Sequence, residues 1–185
     1  MSQLSALADE VEKIFSIQLD IRSGGNSASI SWALNHGKNS RINNLRIGEA
    51  IFLGCEPLYQ EPIEGLFTDA ITLTAEVIES KIKPSLPWGV RGKNAFGEKQ
   101  AIPNRGDVSQ ALIALGRLDV NIAGLKPPTG ITIVSSTSDH LVIETSGESL
   151  FVGQKVQFKL DYGAVLLSMS SPYTQKSFNH RNFDT

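Results

Sequence analysis

The stretch IQLDIRSGGNS, residues 17–27, decides how the opening part of this chain is read. Ile17, Leu19 and Ile21 alternate with Gln18 and Asp20, the period of two that a strand with one apolar face requires. The run Ser23-Gly24-Gly25-Asn26-Ser27 that follows is turn-forming, since glycine accepts positive φ and Asn and Ser bond to their own backbone. Just before the stretch, Leu4, Leu7, Ala8, Val11 and Ile14 recur at helical spacing, with Ser2 or Ser5 available as a cap and Asp9, Glu10 and Glu12 on the other face. Helix, strand and polar glycine loop, in that order, is the grammar of an α/β unit.

A second strand is expected over Ile42 to Arg46, and the small and apolar residues from Gly48 to Leu53 suit one or two helical turns before Gly54. Two strand-then-loop segments so close together are how a phosphate site is built. A helix amino terminus presents unpaired amides and a positive dipole end, Gly48 lets backbone approach closely, and the Ser27 hydroxyl is a donor. In (β/α)8 barrels such a site uses the loops after the last two strands and an extra short helix. Taken alone, residues 23–27 also read as a plain surface turn.

The texture changes near Pro57. Strand-like stretches follow at Ile71 to Ile82, Ala111 to Leu118, Ile131 to Val134, His140 to Thr145 and Lys155 to Tyr162, separated by Gly, Pro and Asn clusters. Pro127-Pro128 marks a turn within this part. The expected organisation is α/β over residues 1–56, all-β over 57–178, and a polar, flexible tail over 179–185.

Composition narrows the function classes. The 17 basic and 19 acidic residues are interspersed and leave a net charge of −2, so no electrostatic footprint for nucleic acid or an anionic membrane exists. Cys55 is the single cysteine, and His36, His140 and His180 are scattered, which gives neither a disulfide framework nor metal-ligand spacing. The amino terminus carries acidic residues through its apolar pattern, unlike a signal peptide, and no apolar run approaches about 18 residues. A cytoplasmic protein is expected.

SGGNS at 23–27 followed by RINNLRIGEAIFLG at 41–54 resembles the fold-type III racemases, and within them the ornithine racemase branch of the alanine racemase-like family. The resemblance covers nearly the whole chain and continues through EGLFTDA (64–70), ALGR (114–117), SDH (138–140) and DYGA (161–164). It implies the last helix-strand units of a (β/α)8 barrel, followed by a C-terminal β-barrel-like domain. It also implies pyridoxal 5′-phosphate as cofactor and an amino acid as substrate. Carried over by position, Ser27 binds the cofactor phosphate, Gly48 and Glu49 offer it backbone amides, Tyr162 donates its hydroxyl, and Arg46 faces the pyridine nitrogen. A guanidinium cannot lose its proton, so Arg46 there disfavours a protonated ring and weakens it as an electron sink, which suits racemisation. Read singly, Arg46 is also a solvated strand end and Tyr162 a half-buried strand tyrosine.

The departures carry as much information. In this family the cofactor-bearing lysine follows the first barrel strand, and none of the lysines from Lys13 to Lys176 lies in that motif. The chain alone is therefore expected to be inactive, and to associate with a missing N-terminal half or form a homodimer. In alanine racemases the second acid/base group is a tyrosine in a stretch aligning with Leu115-Gly116-Arg117-Leu118-Asp119, where Arg117 takes its place. Arginine is a poor general base, so Arg117 and Asp139 stand as open catalytic candidates, and the substrate is expected to be larger than alanine and basic. By the resemblance Ser138 and Asp139 belong to the substrate end of a partner's active site; a polar strand-edge turn is the equal alternative. Asp119 or Asp139 is a candidate partner for a distal substrate amine. Ser138, Asp139 and His140 are not a hydrolytic triad, because consecutive strand residues face opposite ways. A silent cofactor-binding protein descended from a racemase is the rival reading.

Overall fold

The computed structural model describes residues 1–90, 92, 93, 97 and 103–179. The chain forms two compact units, Met1–Ile71 and Thr72–Thr185. His180, Lys99 and nearly all of the expected tail lie outside the described residues. Among the described residues no helix is long and apolar enough to cross a membrane.

In the first unit helix α1 (Ser2–Phe15) forms as its apolar spacing predicts, with Met1 rather than Ser2 or Ser5 at the cap position and no side-chain cap bond. Residues 17–21 are not a strand. Ile17 and Ile21 are exposed, so their alternation has no buried face to serve. Side chains hold this segment instead: the Leu19 N–H donates to Glu12 Oε1 at 2.9 Å, and Arg22 Nη1 donates to the Leu19 carbonyl at 3.0 Å. The Leu19 amide, and then Arg41, keep the Glu12 carboxyl below the usual range.

The glycine run itself is strand β1 (Ser23–Asn26), paired in parallel with β2 (Asn44–Arg46). Packing decides this. A β-carbon at Gly24 would stand 3.0 Å from the Leu4 side chain and 3.1 Å from that of Ile42, so the strand packs closely under both without a side chain there. Helix α2 (Ile30–His36) and the short helix α3 (Glu49–Leu53) follow. Gly54 ends α3 at φ 66°, and a β-carbon there would fall 2.2 Å from the Phe67 carbonyl oxygen. That close approach, with a 2.9 Å bond from Ile63 N–H to the Gly54 carbonyl and a Cys55–Pro62 bridge, folds residues 55–71 onto the first unit. The compact units accordingly divide after Ile71, later than the change of texture near Pro57.

The second unit is one six-stranded antiparallel sheet, ordered β5-β8-β3-β4-β7-β6. Its strands are β3 (Thr72–Pro84), β4 (Asp107–Ile113), β5 (Leu125–Lys126), β6 (Ile131–Ser136), β7 (Leu141–Thr145) and β8 (Lys155–Leu160). β3 pairs with β8 over Thr72–Glu76 and with β4 from Val77 onward, with an irregularity between Val77 and Glu79. A bulge at such a point bends the strand, and the sheet curls into half a barrel with β5 and β6 as edges, not a closed one. Period-two burial puts Leu73, Ala75 and Val77 of β3 and Val156, Phe158 and Leu160 of β8 in the core, beside Ile113, Leu141 and Ile143.

Two expectations change here. β4 ends at Ile113, so residues 114–118 are a loop; and the unit is not all-β, because helix α4 (Tyr162–Ser170) follows β8. Asp161 caps α4, accepting the Ala164 N–H at 2.7 Å, and Ala164, Val165 and Ser168 are its buried side. Tyr162 is thus a helix residue rather than the end of a strand.

Candidate functional site

Because β1 and β2 run parallel, their carboxyl ends lie side by side, with Asn26 opposite Arg46 in register. Asn26 Oδ1 accepts the Ala28 N–H at 3.0 Å and opens a 3-10 turn over Ser27–Ser29. The turn carries Ser27 inward, to 4% exposure. There Ser27 Oγ accepts the N–H of Gly48 at 3.3 Å and of Ala50 at 3.2 Å, two of the amides that the start of α3 leaves without a helical partner. The Glu49 N–H between them makes no hydrogen bond among the described residues. Around the Gly48 Cα, nothing lies within 4 Å of where a β-carbon would stand.

The structure therefore joins Ser27, Gly48 and Glu49, while giving the Gly48 amide, expected to be free, to Ser27. With two bonds accepted, the Ser27 oxygen has its hydroxyl hydrogen left to donate. Ser27 O–H and Glu49 N–H are the donors available to an anion beside the open backbone of Gly48. Arg46 ends β2, exposed and without an ion pair among the described residues. Tyr162 belongs to the other unit, where it is 46% exposed at the first position of α4.

In the second unit the loop after β4 and the tip of the β6–β7 hairpin are fastened together. Arg117 N–H donates to the Thr137 carbonyl at 3.1 Å and Leu118 N–H to the Ser138 carbonyl at 3.0 Å. Arg117 Nε donates to Ser136 Oγ at 2.9 Å, and the Asp119 carboxylate accepts the Gly116 N–H at 2.7 Å. Residues 137–140 are a turn, not a strand: Thr137 Oγ1 accepts the N–H of Asp139 at 3.2 Å and of His140 at 2.9 Å. The facing rule for strands does not apply to them. Ser138 Oγ donates to the Asp139 carboxylate at the exposed tip. Arg117, Ser138 and Asp139 thus share one end of the sheet. Beside them Arg117, Asn121, Ser136 and Leu167 help line a hollow of about 530 Å³. Asn26, Gly124 and Asp161, which shape these positions, were not singled out by sequence; the signal for Asp161 was an N-cap residue ahead of an apolar run.

No family model matches the chain. Over 180 residues it is 38% identical to the ornithine racemase of Acetoanaerobium sticklandii, spanning 95% of this chain and 51% of that protein. Over 175 residues it is 37% identical to the lysine racemase of Thermotoga maritima, spanning 93% of this chain and 49% of that protein. The chain is similar to these racemases and is consistent with a C-terminal fold-type III racemase fragment. It spans about half the length of these curated racemases, and the match is consistent with their C-terminal part.

Solved structures share the racemase fold at low identity. The alanine racemase of Oenococcus oeni superimposes with TM-score 0.53 and 17% identity over 89% of this chain and 47% of that one. The alanine racemase of Bartonella henselae, solved with covalently bound pyridoxal phosphate, gives 0.52 and 17% over 94% and 46%. The D-threonine aldolase of Filomicrobium marinum gives 0.58 and 14% over 89% and 39%.

Proposed function

We propose that this chain supplies the phosphate-facing and ring-facing part of a pyridoxal-phosphate-dependent racemase of basic amino acids. The observation that carries the reading is the junction of Ser27 with the start of α3 at the carboxyl ends of a parallel strand pair. In α/β folds that is where phosphorylated ligands bind. The residues fit a phosphate: a buried hydroxyl with its hydrogen uncommitted, an unbonded amide at Glu49, and open space over Gly48.

When bound, pyridoxal phosphate supplies an electron sink for the substrate's α-carbon. In this reading Ser27 and Glu49 hold the phosphate, and Tyr162, assigned by the resemblance, adds a hydroxyl donor. Arg46 would donate to the ring nitrogen and, because a guanidinium stays protonated, leave that nitrogen without a proton of its own. Arg117, for the same reason, binds and orients rather than removing a proton. Both curated relatives are named for basic amino acids, ornithine and lysine. For the distal amine of such a substrate we favour Asp139, which is exposed at a hairpin tip beside the Ser138 hydroxyl that donates to it, over Asp119, which is half-buried and holds the Gly116 amide.

Turnover in this reading needs a cofactor lysine that none of this chain's motifs supplies, so residues beyond it, on the same polypeptide or another, would have to bring it. The test is to mix it with a protein carrying the first barrel strands and the cofactor lysine, and to follow L- to D-ornithine by chiral chromatography. Conversion only in the mixture is expected. Persistent inactivity with a folded partner that still binds cofactor would favour a silent binding protein instead.

A further inference from the structure

The hollow beside Arg117 lies wholly within the second unit, and a break in strand pairing shapes it. β6 pairs Ile133 with Ile143 and Ser135 with Val142, so Val134 is an extra residue with no partner on β7. A bulge of this kind re-aims side chains that strand alternation would send to opposite faces. Ile133, Val134 and Ser135 accordingly all line the hollow. Val120, Ile122 of the 3-10 turn Ile122–Gly124, and Leu167 of α4 supply the rest of its apolar wall. The loop that carries Val120 is closed by the Asp119 and Val120 N–H groups on the Gly116 carbonyl, at 3.1 and 3.3 Å, so the wall is formed without a ligand. At about 530 Å³ the hollow falls in the range of small-molecule sites, roughly 300–1,000 Å³.

Charge enters at one place. Arg117 is the only charged side chain among the described residues that line the hollow. Its Nε bond to Ser136 Oγ at 2.9 Å fixes the guanidinium, and Ser136, being the acceptor, keeps its hydroxyl hydrogen to donate. The Asn121 side-chain amide, also in the lining, makes no hydrogen bond among the described residues. A fixed cation with a hydroxyl and an amide beside it, set against apolar walls, is complementary to an anion on an apolar stem. The same charge repels the distal ammonium of a basic amino acid, so the hollow suits a different molecule from the substrate proposed above.

We propose that this hollow binds a small monocarboxylate with an apolar tail, its carboxylate on Arg117 and Ser136 and its tail between Ile122, Val134 and Leu167. The site is separate from the phosphate junction and does not rest on the cofactor reading.

Isothermal titration calorimetry of the full chain with straight-chain carboxylates from butyrate to octanoate tests it. Affinity should rise about fourfold with each methylene, the effect of burying one such group. Octanol and octylammonium should each bind at least about tenfold more weakly than octanoate, as expected when a charge-assisted hydrogen bond is lost. Arg117→Gln should bring octanoate down to the affinity of octanol while leaving octanol unchanged, which general damage to the fold would not produce. Because the first unit also exposes apolar side chains, methyl NMR locates the ligand: octanoate should shift Val120, Ile122, Ile133, Val134 and Leu167. No binding of octanoate, equal binding of octanoate and octanol, an unchanged octanoate affinity in Arg117→Gln, or shifts confined to Ile14, Leu34 and Ile51 of the first unit overturns the proposal. Should Arg117→Gln fail to give the native circular dichroism spectrum, the comparison of octanoate with octanol and octylammonium on the unaltered chain decides by itself.

Discussion

The Cα of Gly116 lies against the carbonyl of Ser138, so that a β-carbon on residue 116 would fall 2.1 Å from its oxygen and 2.4 Å from the Asp139 nitrogen. Both obstacles are backbone, and the hydrogen bonds from Arg117 and Leu118 to the same hairpin tip leave it no freedom to retreat. Gly116→Ala should therefore destabilise the chain by about 2–4 kcal/mol in urea unfolding. Ala at Gly147, where nothing lies within 4 Å, is the control and should cost less than about 0.5 kcal/mol.

Ser27→Ala leaves the Gly48 and Ala50 amides without their acceptor, and a methyl of similar size cannot replace it. The expected loss is about 1–2 kcal/mol in unfolding free energy, as for other lost helix caps. Unfolding monitored by tryptophan fluorescence checks it; a stable Ser27→Ala chain would mean that water serves these amides equally well.

The buried Glu56 carboxylate accepts the N–H of Leu58, Tyr59 and Glu61. Burial pushes its pKa up, but these amide bonds together outweigh burial and leave it below the ordinary value. A depressed folded pKa stabilises above the unfolded value of about 4.3, and that stabilisation fades as pH falls through the folded pKa. Thermal unfolding from pH 6 to 3 should show Glu56→Gln less stable at pH 6, with the gap closing toward pH 3. Glu12 and Glu79 are also held low and lose stability over the same range in both chains, so the difference between the two is the quantity to read.

Asp139 and Asp119 should separate by experiment. In a racemase reconstituted around this chain, Asp139→Asn should raise KM for ornithine about tenfold while changing kcat little, the pattern of lost ground-state binding. Asp119→Asn weakens the bond to the Gly116 amide and should lower the melting temperature instead. Equal KM effects from both would contradict the division of roles.

The first unit exposes Ile14, Phe15, Ile21, Leu34, Ile51 and Phe52, while its buried apolar side chains are Ala8, Ile42 and Ala50. Its parallel sheet has two short strands, and both outer edges are open. So much uncovered apolar surface favours association. Sedimentation velocity at micromolar concentration should show species heavier than the 20.0 kDa chain; a single monomeric boundary would refute it.

What the sequence determined by itself was the set of residues with local physical signatures. The spacing of Leu4, Leu7, Val11 and Ile14 sufficed for α1, although Ala8 is its one buried residue, and alternation sufficed for β3 and β8, where a single face is buried. The motif at Ser27 and Arg46 to Glu49 indicated a phosphate-binding junction from residue type and order.

The tertiary structure decided what depends on distant neighbours. Ile17 to Ile21 carry a strand's pattern, yet the strand is the glycine run, where Gly24 packs closely against Leu4 and Ile42 while Ile17 and Ile21 stay exposed. Tyr162 ends a strand-like run, yet belongs to a helix, because Gly124, far upstream, leaves room for the Asp161 cap. The sequence also offered the Gly48 amide to a ligand, and folding gave it to Ser27. In all three the outcome turns on whether an atom from elsewhere in the chain occupies the space, and periodicity along the chain does not encode that.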